Sequence, residues 1–302
     1  MTTDTEKGGW EMSMTKRALS SAIIVAVLFA AYKCGVRGLV FLIIVIGTMT
    51  QVEFYALLKK MGQRPLVATG EICGIFLMLA TYFSAHGTGN ARFNSILAPQ
   101  LATHLTLAIA TVASVVLLSR SLERVKKCMI STAIGVLYVP FMCCFPIAFL
   151  AKDVTDARRM AMIFYAAAAA KACDIGAMFA GKYFGKRKLA PDFSPNKTIE
   201  GVIGGILCAN VVGHIAFVYP AHQLYWMKNT LLAMCYSTLL AVMALAGDLT
   251  ESAIKRLADE KDSGKILPGI GGIFDLTDSL LFAIPIHLMA LTLAPHGFFL
   301  CQ

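Results

Sequence analysis

Residues 252–278, SAIKRLADEKDSGKILPGIGGIFDLTD, order their chemistry in a way that a merely solvated loop does not require. Lys255, Arg256, Lys261, Asp262 and Lys265 lead into Pro268, a run of glycines, and then Asp275 and Asp278. Two carboxylates three residues apart share one face at the start of a helix, and they repel each other unless a cation bridges them. Hard oxygen donors of this kind suit Mg²⁺, and the preceding cations suit a polyphosphate. Acidic residues also stabilise a helix N-terminus through its dipole, a reading that accounts for one Asp better than for two. Gly271 and Gly272 allow backbone to approach phosphate closely.

Three other stretches carry related chemistry. Asp174 lies inside an apolar segment with Lys171 three residues before it; an intramembrane carboxylate is costly and commonly functional, though the two can also neutralise each other. Ser194, Asn196 and Lys197 sit in SPNKT, immediately before Glu-Gly and an apolar helix. They place hydroxyl, amide and ammonium donors at a helix N-terminus, where free N–H groups favour phosphate. Asp248 and Glu251 stand one turn apart near the end of another apolar helix, followed by Ser252. The dipole disfavours a carboxylate there, so Asp248 needs a compensating cation or metal, or is a surface group beside Lys255 and Arg256.

The elements that position these residues are membrane helices. The chain has 302 residues, 57% hydrophobic and only 15% charged, against roughly 25% charged in a soluble domain. Apolar runs of about 17–22 residues predict an all-α, polytopic bundle of nine spans. They lie near 19–35, 38–58, 66–84, 100–118, 129–150, 160–181, 201–220, 229–248 and 273–297. The expected organisation is a cytoplasmic tail (1–18), N-terminal transmembrane helices (19–158) and a C-terminal catalytic region (159–302). The polar start runs into an apolar stretch without a small-residue cleavage pattern, which argues against a removable signal peptide.

Lys and Arg gather in the loops on the N-terminal side, around 59–64, 120–127, 182–197 and 255–265. The positive-inside rule makes that face cytoplasmic. The net charge of +9 is this loop bias rather than a nucleic-acid surface. Nine cysteines include no CxxC pair and read as small packing residues. The six histidines are scattered, and no Ser-His-Asp set is suggested.

At this point the chain resembles the phosphatidate cytidylyltransferase (CDP-diacylglycerol synthase) family. Ser252, Lys255, Arg256, Lys261, Asp262, Gly264, Leu267, Pro268, Gly271, Gly272, Asp275 and Asp278 stand at the spacing of that family's signature. The upstream run CDIGAMFAGKYFGKRKLAPDFSPNKTIEGVIGG resembles it as well, and VEFYALLKKMGQRP at 52–65 does so more weakly. Ile270 and Leu276 replace the family's usual His and Arg. The resemblance implies that CTP and phosphatidate give CDP-diacylglycerol and pyrophosphate at the cytoplasmic face of the inner membrane. It implies Asp275 and Asp278 as Mg²⁺ ligands, with Asp248 and Asp174 as further candidates. Lys255, Arg256, Lys197 and Lys261 would hold phosphates, Ser194, Asn196 and Ser252 would orient them, and a homodimer is expected.

Two rivals stay open. A CTP-dependent polyprenol or phytol kinase, or a cytidylyltransferase for another lipid phosphate, needs a similar site with a different acceptor. A transporter of an anionic solute also uses acidic residues and broken helices, but its site tends to lie at the bilayer midplane rather than at one edge.

Overall fold

The computed structural model describes residues 19–86, 122–151, 157–191, 194–218, 230–266, 268–269 and 271–293. In chain order the elements are α1 (Leu19–Lys33), α2 (Gly35–Lys60), α3 (Val67–His86), α4 (Leu122–Tyr138), α5 (Pro140–Ala151) and α6 (Ala157–Phe184). The strands β1 (Lys188–Ala190) and β2 (Ser194–Thr198) follow, then α7 (Ile199–Val218), α8 (Thr230–Leu257) and α9 (Ile273–Leu293).

Among the described residues, six helical segments are long and apolar enough to cross a membrane, and α1 and α7 are shorter apolar helices. The fold is therefore the expected helical bundle of a multi-pass membrane protein. Eight of the nine expected spans coincide with these segments, while 100–118 and the 1–18 tail lie outside the described residues. The span expected at 129–150 is two helices in line, α4 and α5, interrupted at Val139. Pro140 cannot donate a backbone hydrogen bond, so α5 starts there rather than continuing α4. Outward faces carry exposed Phe41, Ile72, Phe76, Phe83, Phe179 and Leu231, a pattern that lipid satisfies and water does not.

The interior holds an aromatic cluster directly beneath the polar end of the bundle. Phe54 of α2 stacks on Tyr138 of α4 at 5.1 Å, and Phe274 of α9 meets both edge-on at 5.9 Å. These contacts fix the first turn of α9 against the N-terminal helices. On the other side α6 runs along α7, with Gly176, Gly204 and Gly205 at the crossing, as small residues permit in membrane packing. α9 touches α2, α5, α6 and α8 and is the central helix.

One element was not foreseen. The 182–200 segment, expected as a loop, contains an antiparallel hairpin pairing Lys188 with Thr198 and Ala190 with Ser194. Ile199 N–H donates to the Arg187 carbonyl at 2.9 Å and extends the ladder. Thr198 then caps α7, its Oγ1 accepting the Gly201 N–H at 3.1 Å. The hairpin therefore delivers Ser194, Asn196 and Lys197 to the helix mouth on a paired, fixed backbone.

Candidate active site

The first turn of α9 is closed by side chains. Helix N-termini leave N–H groups without intrahelical partners. Here Asp275 reaches back to the Gly272 N–H at 2.7 Å, the second half of a capping box. The Phe274 N–H donates to Glu53 Oε2 of α2 at 2.8 Å, and the Asp275 N–H to Ser263 Oγ at 3.3 Å. The carboxylate of Asp275 also accepts the Ser263 N–H at 3.1 Å and meets Lys255 at 2.8 Å.

This placement departs from the expected Asp275–Asp278 pair bridging one cation. Asp275 sits at the cap and turns toward the loop, whereas Asp278, one turn further in, faces α8. The Gly272 N–H is likewise committed to Asp275, so this glycine turn does not present it to a phosphate. Gly271 adopts a positive φ of 122° and packs against the Asp275 carboxylate.

Asp278 instead joins Asp248 and Glu251 of α8. One oxygen from each lies within 4.8 Å of the other two. Asp278 and Glu251 are buried and Asp248 is half-buried. Three ammonium groups surround them. Lys197 of β2 lies 2.7 Å from Asp248, as an ion pair without an aligned hydrogen bond. Lys255 sits 2.8 Å from Glu251, and Lys171 of α6 lies 3.8 Å from Asp278 and 3.1 Å from Asp174. Ser279 ties this last corner, accepting from Lys171 at 2.8 Å and donating to Asp174 at 3.0 Å.

Five carboxylates against three ammonium groups leave two formal negative charges uncompensated. Three closely facing carboxylates with that surplus fit one hard divalent cation, the oxygen-donor chemistry of Mg²⁺. Asp248, Glu251 and Asp278 are the residues that could hold it.

A cavity of about 470 Å³ adjoins Asp248, between α6, the hairpin, α7 and α8. Asp174, Ser194, Asn196, Lys197 and Ser252 line it, together with Lys182, Thr198 and Gly201 at the capped start of α7. Met178, Ala177, Val202 and Leu245 form its apolar side. The volume is that of a small-molecule site, roughly 300–1,000 Å³.

The structure thus brings Asp174, Asp248, Asp278, Ser194, Asn196, Lys197 and Ser252 together. Lys255 links the acidic group to the loop through Glu251 and Asp275. Arg256 is exposed near the end of α8, and Lys261 is exposed on the loop. Leu276 is half-buried, and Ile270 lies outside the described residues.

Sequence reasoning assigned no role to Glu251 or Glu53. Glu251 is marked only as standing one turn from Asp248, and that spacing of three was the available signal. Glu53 lies 221 residues from its partner Phe274, and the weak family resemblance of VEFYALLKKMGQRP was the one signal at its position. The loop is also held by Lys60, paired with Glu260, and by Ser20, whose Oγ donates to the Pro268 carbonyl at 2.8 Å. The Lys60 hydrogen bond and charge hold the Glu260 carboxyl below the ordinary carboxylate range.

Known proteins are similar in sequence to part of this chain. A Bacillus subtilis (strain 168) protein named phosphatidate cytidylyltransferase is 47% identical over 133 residues, 43% of this chain and 47% of that protein. A protein of the same name from Haemophilus influenzae is 44% identical over 114 residues, covering 38% and 40% respectively. One from Staphylococcus haemolyticus is 39% identical over 140 residues, covering 46% and 52%. The chain spans about half the length of the curated relatives it matches. The profile of the Cytidylyltransferase family, by contrast, matches residues 15–294, nearly the whole sequence. The membrane bundle with its acidic group and lysines at one end therefore belongs to the cytidylyltransferase family.

Proposed function

We propose that the protein is a phosphatidate cytidylyltransferase, converting CTP and phosphatidate to CDP-diacylglycerol and pyrophosphate. The observation that carries this reading is the acidic group of Asp248, Glu251 and Asp278 beside a cavity lined by Lys197 and the start of α7. The relatives' shared name supports the choice of reaction within the family.

In this reading a phosphate oxygen of the lipid attacks the α-phosphorus of CTP. The new P–O bond forms as the bond to the bridging oxygen of pyrophosphate breaks, and that oxygen leaves with the electron pair. A phosphate nucleophile is already ionised at neutral pH, so no general base is required. Catalysis rests on positioning and charge neutralisation. Lys197 binds nucleotide phosphate, while Ser194, Asn196 and Ser252 orient it. Lys171 and Lys255 hold the carboxylates in place between reactions. Mg²⁺ bound by Asp248, Glu251 and Asp278 would neutralise phosphate charge and polarise the phosphorus.

The apolar side of the cavity supports a lipid acceptor. Met178 lines it and is also 60% exposed on the outward face of α6, giving acyl chains a lateral route from the bilayer. CTP then enters from the lysine-rich end, which the positive-inside rule makes cytoplasmic; in a bacterium this is the inner membrane. The test is pyrophosphate release by the purified protein with Mg²⁺. Release that requires both CTP and phosphatidate, and that Asp278→Asn abolishes, is expected. Formation of a lipid monophosphate and CDP when phytol or a polyprenol replaces phosphatidate would count against the reading.

A further inference from the structure

Glu53 is a buried carboxylate, 5% exposed, on a helix remote in sequence from the acidic group. Its donors come from the far end of the chain. Oε2 accepts from Ser263 Oγ at 3.0 Å and from the Phe274 N–H at 2.8 Å. Oε1 is buried against Gly264 with no hydrogen bond. The fit allows nothing larger on the loop. A Cβ at Gly264 would stand 2.2 Å from Oε1, and one at Gly272 would stand 2.3 Å from Oε2. Burying a carboxylate with so few partners is costly, and that cost is tolerated where the group fixes something else.

What it fixes can be followed bond by bond. Ser263 Oγ, donating to Glu53, accepts the Asp275 N–H, and the Ser263 N–H donates to Asp275. Asp275 holds Lys255 at 2.8 Å, and Lys255 holds Glu251 at 2.8 Å. Glu251 is one of the three carboxylates of the candidate metal group. A continuous chain of hydrogen bonds and ion pairs thus connects α2 with the reaction centre.

We propose that Glu53 is a positioning residue for the reaction: it locks Ser263 and the first turn of α9 so that Asp275 and Lys255 aim Glu251 into the acidic group. The N-terminal helices then do more than fill the membrane. They supply the fixed point from which the centre is set. The catalytic consequence rests on the functional reading above; the loop-locking does not.

The experiment uses the full chain in lipid nanodiscs, comparing wild type with Glu53→Ala, Glu53→Gln and Ser263→Ala. Hydrogen exchange of the 262–275 peptide needs no substrate. It should accelerate in Glu53→Ala by about 10- to 100-fold, the range for hydrogen bonds to a charged group, while the 233–246 peptide of α8 is unchanged. In CTP turnover, kcat should fall by a similar factor with KM for CTP within threefold, because Glu53 touches no substrate. Half-saturating Mg²⁺ should rise. Glu53→Gln keeps a carbonyl acceptor and should recover most of the loss, whereas Ser263→Ala should reproduce it in part.

Wild-type exchange and kcat within twofold in a folded Glu53→Ala protein would overturn the proposal. Uniformly faster exchange along the whole chain in both Glu53→Ala and Ser263→Ala would overturn it too, reducing Glu53 to a general stability role. If wild type shows no turnover with CTP and phosphatidate, the functional reading fails, and the exchange comparison still decides the loop-locking.

Discussion

Replacing Glu251 by Gln changes one charge and almost no shape, which makes its consequences separable. In the metal-free protein two terms oppose each other. Two carboxylates within 4.8 Å stop repelling position 251, each worth at least about 3.5 kcal/mol by Coulomb's law at an effective dielectric near 20. Lys255, 2.8 Å away, loses an attraction of about 6 kcal/mol on the same scale. It keeps Asp275 at 2.8 Å, so it is not stranded. The terms cancel to within their own accuracy, and the melting temperature in chelator should hardly move. With Mg²⁺ present the balance differs, because the site then needs both surplus negative charges and the variant supplies one. Half-saturating Mg²⁺ should rise at least about tenfold, and kcat should fall about 10²–10³-fold, as when one preorganised electrostatic partner is removed. Steady-state pyrophosphate release over a Mg²⁺ titration, beside thermal melting in chelator, gives both numbers. Unchanged Mg²⁺ dependence with kcat within threefold would refute the assignment of Glu251 to the metal group. A large loss of stability in chelator with normal Mg²⁺ dependence would make Glu251 a structural partner of Lys255 only.

Other substitutions probe neighbouring parts of the account. Lys197→Met removes the cation beside Asp248 from the cavity wall and should raise KM for CTP by about 10- to 100-fold, the loss expected for one charged hydrogen bond, measured at saturating phosphatidate. Gly247→Ala would place a Cβ 2.3 Å from the Asp278 backbone carbonyl. Backbone cannot yield there, so melting should fall by the equivalent of about 1–3 kcal/mol and Mg²⁺ affinity with it. Asp275→Asn keeps an acceptor for the Gly272 N–H but weakens the hold on Lys255. It should lower kcat less than Asp278→Asn does, and the reverse order in pyrophosphate release would restore Asp275 as the principal ligand. Chelation of divalent cations should abolish turnover, and added Mg²⁺ should restore it.

How far the sequence could be read follows from the range of the forces involved. Spans were legible because an apolar run of about 20 residues is a local property. The Lys171–Asp174 pair was legible because i, i+3 neighbours meet on any helix. Lys197 and Asp248 were each singled out, but their pairing was not foreseen. It depends on an unforeseen hairpin that swings β2 over the end of α8. Asp275 and Asp278 looked equivalent by spacing. The split between cap and acidic group is decided by Glu53 and Ser263, which arrive through tertiary packing. Glu251 was named one turn from Asp248, but local spacing could not show that it meets Asp278 from another helix. Glu53 sits in VEFYALLKK just ahead of Lys59 and Lys60, where a lone acid reads as surface charge.

The central claim is that cytidylyl, rather than phosphoryl, is transferred to a lipid phosphate. The most direct measurement supplies the purified protein in nanodiscs with phosphatidate, Mg²⁺ and CTP labelled at either the α- or the γ-phosphate, then follows the label between lipid and water. The account predicts that the α-label enters the lipid while the γ-label leaves as pyrophosphate. Transfer of the γ-label to lipid with release of CDP would contradict it.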